Sequence, residues 1–568
     1  MDNYAIADNF SMLSKLMDIH GENSFKSKTY SVAAFNIEKL PMQLSDTPRE
    51  KIFGIKGIGD SVGKKVIEML DTGELKTLSD YLEKTPAGIV EMLTIKGIGP
   101  KKINTIWKEL EVESIGELLY ACNENRLLLY KGFGEKTQSN IRDSIEFYLQ
   151  NQGSYLYAQI ESYAHSLHEK LSTHFSKDKV AITGAFRRQM EVIDVLEWCT
   201  TVSSVEFKRF FLENTSLPEG HSFDAIEENA EHILFKGKEN LKLKFYFVES
   251  SAFYKKLFQT SCSEDFLVGW EKKFSIPSAA NEEDIFQSAG LPFIIPALRE
   301  NDSILAKAKE GQIKQVIQPS DVCSVIHSHS NWSDGVNTIE EMANDLVKRG
   351  YEYLVISDHS KSAFYANGLT VERIREQHKY VDELNSKLKP FRIFKSIECD
   401  ILNDGSLDYS DDILATFDLV ITSVHSNLKM NEEKAMMRLL NAIKNPYTTI
   451  LGHMTGRLLL SRNGYPVDHK KIIDACAENH VVIELNAHPR RLDIDWRWID
   501  YALEKNVLIS IDPDAHSIEG FNDVKYGVYA AQKGGLSKEQ NLSSFRLSEF
   551  EDYLEKVKRL KAEKKTNN

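Results

Sequence analysis

Between residues 323 and 520 seven short apolar runs recur, and nearly every one ends in a side chain able to ligate a metal. The runs are Val325-Ile326, Tyr353 to Ile356, Phe391 to Ile397, Leu419 to Val424, Thr449 to Leu451, Val481 to Leu485 and Val507 to Ile511. They lead into His327-Ser328-His329 with Asp334 close behind, Asp358-His359, Glu398-Cys399-Asp400, His425, His453, Asn486 with His488, and Asp514-Ala515-His516. Helical stretches such as 371–388 and 432–444 separate most of the runs, which predicts a parallel β/α barrel or a doubly wound sheet. In a barrel the carboxyl ends of the strands meet on one rim, so residues remote in sequence become neighbours there. One histidine at a strand end is more often a satisfied core or surface residue. Six histidines and three carboxylates at the strand ends of one segment point instead to a shared metal centre. His378 and His469, in helical or loop context, are expected on the surface.

Composition bounds the rest. A chain of 568 residues holds roughly three to five domains. Its 42% hydrophobic and 27% charged content excludes wholesale disorder, collagen and a coiled-coil rod. No apolar run approaches the ~18–20 residues of a membrane helix, and the acidic start MDNYAIADNF lacks the basic-then-apolar profile expected of a signal peptide. Six cysteines stand singly with no CxxC, against both a disulfide framework and a cysteine-built zinc site. The reading is a cytoplasmic protein without membrane partners. A net charge of −14 argues against adhesion to nucleic acid by bulk charge, but backbone amides and a few placed lysines can still hold a phosphate backbone.

A glycine motif recurs three times in the helical first 150 residues: Gly54-Ile55-Lys56-Gly57-Ile58-Gly59, Ile95-Lys96-Gly97-Ile98-Gly99 and Tyr130-Lys131-Gly132-Phe133-Gly134. Glycine allows positive φ and brings backbone N–H groups close to a phosphate, and a helix N-terminus behind the turn favours an anion. The three copies resemble helix-hairpin-helix motifs. Gly57, Gly59, Gly97, Gly99, Gly132 and Gly134, with Lys64, Lys65, Lys101, Lys102 and Lys136, are therefore the candidate residues for sequence-independent DNA binding.

HSHSNWSDG, ISDHS, IECDILNDGSLDY, TSVHSNL, ILGHMTGRLLLSRNGY, IELNAHPRRLD and DPDAH resemble the motifs of the PHP (polymerase and histidinol phosphatase) domain, in the version fused to bacterial family-X DNA polymerases. The resemblance implies a distorted seven-stranded barrel and up to three divalent ions. Their ligands would be His327, His329, Asp334, His359, Glu398, His425, His453, Asp514 and His516. Imidazole with carboxylate suits Mn²⁺, with Zn²⁺ or Fe²⁺ as alternatives, better than Mg²⁺, which prefers all-oxygen shells. Glu398 is the expected bridging and catalytic carboxylate, and Arg457 in GHMTGR a candidate for holding a substrate phosphate. ENSFKSKTYSVAA at 22–34 resembles the family's lyase domain, which makes Lys65 the candidate Schiff-base lysine.

Gly184-Ala185-Phe186-Arg187-Arg188 resembles the family's Gly-Ser-x-Arg-Arg nucleotide signature. The paired aspartates that should follow are missing: Val192 and Leu196 flank Asp194 at two residues' distance, and the strand Leu241 to Val248 has no Asp. Without paired ions, in-line displacement loses its main electrostatic support. Gly184, Arg187, Arg188 and Asp194 then mark a degenerate nucleotide site.

The resulting fold class is multidomain α/β: helix-hairpin-helix domains at the N-terminus, a nucleotidyltransferase-like palm and thumb, and a (β/α)7 PHP barrel. The boundaries are 1–80 lyase-like, 81–150 fingers-like, 151–235 palm, 236–305 thumb-like, 306–322 linker, 323–550 PHP and 551–568 flexible tail. The expected function is a monomeric, metal-dependent 3′–5′ exonuclease or 3′-end phosphoesterase in DNA repair, acting on single-stranded, gapped or 3′-ended DNA with polymerisation absent or weak. The alternatives are a gap-filling polymerase, a DNA-binding scaffold with a structural metal site, and a small-molecule phosphatase.

Overall fold

The computed structural model describes all residues except 39, 41, 56, 151–152, 214–222, 238–239 and 568. Lys56 of the first glycine motif, and two residues of the hairpin turn expected at 237–240, thus lie outside the described residues. The chain divides into two units, Met1–Tyr148 and Leu149–Asn568. None of the described helices is long and apolar enough to cross a membrane.

The first unit is helical. Its opening helix, Asn3–Ile19, buries Ile6, Phe10, Leu13 and Leu16, the three-to-four-residue spacing of an amphipathic stripe, and packs against Ser24–Glu38.

The second unit begins with a five-stranded sheet in the order Val180–Thr183, Leu196–Thr200, Lys242–Phe247, His232–Lys236, Asp224–Glu228. Leu196–Thr200 and Lys242–Phe247 pair in parallel at its centre, and Tyr157–Phe175 packs Ile160, Ala164, Leu167 and Leu171 into the same core. The expected break at 235/236 is corrected by this pairing: Lys242–Phe247 belongs to the palm sheet. The expected linker 306–322 is corrected too. Leu305, Ala308 and Val316 close the thumb core around Phe258, Phe266, Trp270 and Phe286, while Ile317 and Val322 are buried in the barrel core. Ile317 N–H donates to the Leu536 carbonyl at 2.8 Å, so this connector is fastened along its length.

Among the described residues, seven parallel strands close the barrel. One sheet joins Ser324–Val325, Tyr353–Ile356 and Arg392–Lys395; the other runs Glu398–Asp400, Ile421–Ser423, Ile450–Leu451, Val482–Asn486, Ile509–Asp512. Arg392–Lys395 and Glu398–Asp400 are successive pieces of one strand. Bridges His359↔Glu398 and Ser328↔Ala515 join the two sheets into a ring. Tyr353–Ile356 and Val482–Asn486 are buried at every position, as strands covered on both faces require. The covering helices include Val371–Lys387 and Glu432–Lys444, where the periodicity placed them.

The lysine-rich end is not the frayed tail expected from its charge. Leu547–Asn567 is a helix whose Phe550, Leu554 and Val557, at i, i+4 and i+7, turn into the barrel, and the Lys561 amine reaches the Thr448 carbonyl. Phe550 stacks on Tyr353 at 4.6 Å between ring centroids and meets Phe394 edge-on at 4.9 Å. Phe550→Ala should therefore cost about 3–5 kcal/mol in urea denaturation; a loss under ~1 kcal/mol would show that this helix is not docked.

Candidate metal centre

The centre is assembled by strand ends. Glu398 opens its strand segment with its side chain fully buried, and five imidazoles point at its carboxylate. His453 Nε2 lies 2.8 Å from Oε1, His359 Nδ1 2.9 Å from Oε2, His425 Nε2 3.1 Å and His327 Nε2 3.2 Å from Oε1, and His329 Nε2 3.6 Å from Oε2. Asp514 Oδ1 stands 3.1 Å from His329 Nε2 and 3.4 Å from His327 Nε2. Asp334 lies 3.5 Å from both His359 and His516. The nine predicted ligands all fall into four overlapping groups: His329–Asp334–His359–His516, His327–His453–Asp514, His327–His329–Glu398 and His359–Glu398–His425.

Two observations test whether these donors suit divalent ions. First, His327 Nε2, His329 Nδ1, both Asp334 oxygens, His359 Nδ1, Glu398 Oε2 and His453 Nδ1 are buried without a hydrogen bond of acceptable geometry. Native interiors rarely leave buried polar atoms so, and metal ligation is one of the few settings that does. Second, the electrostatics demand positive charge. Burial pulls His327 and His359 down, yet Glu484, Asp514 and Glu398 around the first, and Asp334 and Glu398 around the second, hold both well above the ordinary histidine range. Against the same burial, Glu398 and Asp400 lift His425 to about 9. Burial, then His359 and His516, pushes His329 down to about 3, and burial with Arg491 lowers His453 to about 4. The carboxylates that raise these three imidazoles would equally be met by bound cations. The donors fit. Three of them, His327, His453 and Asp514, sit at φ of 58°, 31° and 51°. Non-glycine residues are held there only where their surroundings over-determine them.

The supporting carboxylates were not assigned by sequence reasoning. Glu484 hydrogen-bonds His327 Nδ1, and Asp400 Oδ1 lies 2.5 Å from His425 Nδ1, each fixing the ring whose other nitrogen faces Glu398. Asn486 donates to Asp514 at 3.0 Å. The available signal was period two: Glu484 and Asn486 are the polar alternates in the otherwise apolar strand Val482–Asn486. Asp358 is an anchor for the first loop, taking bonds from Ser330, Ser333 and Gln377. His488 Nδ1 accepts from the Arg490 N–H at 3.2 Å and falls in none of the four groups. His378 and His469 are half-buried rather than surface residues; they pack on Phe417 and Trp498.

Arg457 requires correction. Its Nε donates to the Arg491 carbonyl at 2.9 Å, its two terminal nitrogens to Asp495 and the Leu492 carbonyl, and it lies 3.5 Å from Glu191. It fastens the 491–495 loop, with each of its three nitrogens already engaged by a protein oxygen.

The three glycine turns share one geometry. Gly57, Gly97 and Gly132 have φ of 94°, 92° and 96°. The second glycines lead directly into Asp60–Thr72, Pro100–Lys108 and Glu135–Gln150. Ile58, Ile98 and Phe133 plug into the core, while the glycines on either side are exposed. Around Gly59, Gly97, Gly99, Gly132 and Gly134 the space where a Cβ would stand is open, so a sugar-phosphate chain can approach the amides. Lys64, Lys101 and Lys136 are exposed beside them, and Lys102 lies 5.7 Å over the Phe133 ring. Lys65 is half-buried, donates to Thr77 at 2.6 Å and lies 6.0 Å over the Tyr30 ring.

In the palm, Gly184 has φ +70°, and a Cβ there would stand 1.8 Å from a Glu197 oxygen. Glu197, three residues past Asp194, was not singled out in the sequence; it accepts from the Tyr246 hydroxyl at 2.8 Å. Arg187 bonds Ser261 at 2.7 Å and pairs with Glu282; Arg188 pairs with Glu300 at 2.9 Å. Asp194 is exposed and accepts from Ser154 at 2.6 Å.

Comparison with known proteins agrees with this layout. Residues 1–75 match the family described as a helix-hairpin-helix domain, and 89–146 the SAM-like helix-hairpin-helix tandem. The DNA polymerase/3′-5′ exonuclease PolX of Bacillus subtilis (strain 168) is 31% identical over 559 residues, 95% of this chain and 97% of that protein. A probable phosphatase of Thermoanaerobacter sp. (strain X514) is 26% identical over 250 residues, 41% of this chain and 94% of its own length. Another from Acetivibrio thermocellus is 29% identical over 170 residues, 28% of this chain and 64% of its own length.

The second layer of carboxylates makes a direct test. Glu484→Gln should weaken Mn²⁺ binding, measured by calorimetry, about 10- to 100-fold with the fold retained. Unchanged affinity would mean that His327 needs no orienting partner.

Proposed function

The chain belongs to the bacterial family-X DNA polymerases, and we propose that it is a metal-dependent 3′–5′ DNA exonuclease or 3′-end phosphoesterase whose chemistry resides in the barrel mouth. The observation that carries this reading is the gathering of nine ligand-type side chains, Glu398 among them, with buried ligand atoms left without hydrogen bonds. The ions proposed are Mn²⁺ first, with Zn²⁺ or Fe²⁺ as alternatives, in up to three positions. When bound, they supply positive charge against the phosphoester oxygens and activate water.

The chain's own residues do the rest. Glu398, the one carboxylate lying within two of the four groups, would be the ligand shared between ions. Glu484 and Asp400 hold the rings of His327 and His425 in one tautomer and orientation. The exposed amides of the three glycine turns and the adjacent lysines bind the DNA backbone without reading bases. We propose single-stranded or gapped DNA as substrate and a monomer in the bacterial cytoplasm as the working form, with the divisions at 80/81 and 150/151 separating lyase-like, fingers-like and palm regions. Lys65 is kept as the lyase candidate.

Polymerisation is proposed absent or very weak. The reading is supported by the single exposed Asp194, by the Glu197 carboxylate at the Gly184 turn, and by the ion-paired Arg187 and Arg188. Gap filling is the second reading, favoured by the polymerase activity for which the Bacillus subtilis relative is named.

Expected outcomes separate the two. End-labelled single-stranded DNA with Mn²⁺ should be shortened from its 3′ end by the native chain, and at least 10³-fold more slowly by His329→Ala or Glu398→Ala, the order seen when a centre that stabilises charge is dismantled. Digestion by either variant at the native rate would move the active site elsewhere. Primer extension across a gap should stay at background in the native chain and in Asp194→Ala alike. Extension that Asp194→Ala abolishes would reinstate the polymerase.

A further inference from the structure

Four large apolar side chains beyond residue 323 are exposed among those described: Val336, Val347, Phe364 and Leu460. Three of these lie on loops that leave candidate ligands, Val336 after Asp334, Phe364 after His359 and Leu460 after His453. Phe364 stands out at 78% exposure. Its loop is not slack. Leu369 N–H returns to the His359 carbonyl at 2.9 Å, so the loop both leaves and closes on a candidate ligand. Inside it, Ala363 N–H donates to Ser360 at 3.0 Å and Gly368 N–H to Ala363 at 3.1 Å. Ser362 bonds Asp400 at 2.7 Å and Asp408 at 2.6 Å, and Lys361 N–H bonds the Tyr409 hydroxyl at 3.0 Å. Asn367 takes a left-handed φ of 56°, and its carbonyl accepts from Arg373 at 2.7 Å.

A loop held at so many points fixes where Phe364 stands, and most of that side chain's surface is open to solvent. Five residues of chain keep Phe364 within ~17 Å of His359, a reach of two or three nucleotides. The loop also carries the exposed Lys361, whose amine is 5.3 Å from the Tyr409 ring centre. An exposed ring with a cation on the same loop matches the alternation of base and phosphate in a single strand, because every nucleobase offers a π-face. We propose that Phe364 is a stacking platform for a base near the 3′ end of a single DNA strand entering the metal centre, which makes it a specificity-determining residue for strands over mononucleotides. The proposal rests on the exonuclease reading above.

Two measurements keep its failure separate from that of the reading. With Mn²⁺ and the full chain, Phe364→Ala should raise KM for a single-stranded oligonucleotide about tenfold, within the range lost when one stacked base is released, with kcat within about twofold. Hydrolysis of the p-nitrophenyl ester of thymidine 5′-monophosphate should be unchanged. Phe364→Trp should restore the KM, and Phe364→Leu should not. In EDTA, where nothing is cleaved, an oligonucleotide with 2-aminopurine placed in turn at each of its three 3′-terminal positions should be quenched at one position by the native chain and by Phe364→Trp, but not by Phe364→Ala. Equal quenching by Phe364→Ala, or full rescue by Phe364→Leu, overturns stacking. Ester hydrolysis that survives His329→Ala overturns the exonuclease site itself, while the EDTA measurement still decides the base contact.

Discussion

One buried carboxylate organises the barrel mouth. Glu398 is fully buried, and a lone anion in that position would be very costly. Burial pushes its carboxyl up, but His425, His327 and His359 hold it well below the usual carboxylate range. Each of those rings comes from a different strand end, so satisfying Glu398 and closing the barrel are one geometric problem. The bridges Ser328↔Ala515 and His359↔Glu398 lie beside the ligands themselves. Left-handed backbone at His327, His453 and Asp514 is tolerated because neighbouring strands hold each turn on both sides.

The palm follows a different logic. Its central parallel pairing survives, yet groups that resemble a nucleotide signature are joined to protein carboxylates. Glu300 accepts from both Arg188 and Lys533 Nζ, the second at 2.8 Å, and Glu161 takes bonds from Lys525 and Tyr526 at 2.7 and 3.0 Å. Palm, thumb and barrel are therefore tied through ion pairs that are mostly buried, where removing one partner costs far more than at a surface.

Much of this was legible beforehand because the signals were periodic. Strand–helix alternation in 323–520 left a barrel or a doubly wound sheet, a ligand type at each strand end pointed to a shared rim, and the likeness to the PHP motifs picked out the barrel and the nine residues that meet there. Repeated glycines gave the turns, since positive φ at Gly57, Gly97 and Gly132 is a demand few other residues meet. What escaped depends on partners that no spacing encodes. Arg457 looked like a phosphate ligand until Asp495 and two carbonyls took its donors. Glu484 sits inside an apolar run, where one acid reads as an exception rather than as the partner of a histidine more than 150 positions earlier. The last helix was hidden by its lysines: three apolar residues among many charges suffice to dock it, and composition weighs all positions alike.

The fastening of Arg187 and Arg188 has an evolutionary corollary. On the proposal that polymerisation is absent, restoring an aspartate pair to the sheet would not be enough to rebuild a triphosphate cradle, because both guanidinium groups already complete a framework linking three regions of the chain. Freeing them would leave Glu282 to Arg299 alone and Glu300 to Lys533 alone, each buried carboxylate short of one of its two cations. Loss of synthesis in such a lineage would act as a ratchet, each new internal tie making the way back steeper than the way out.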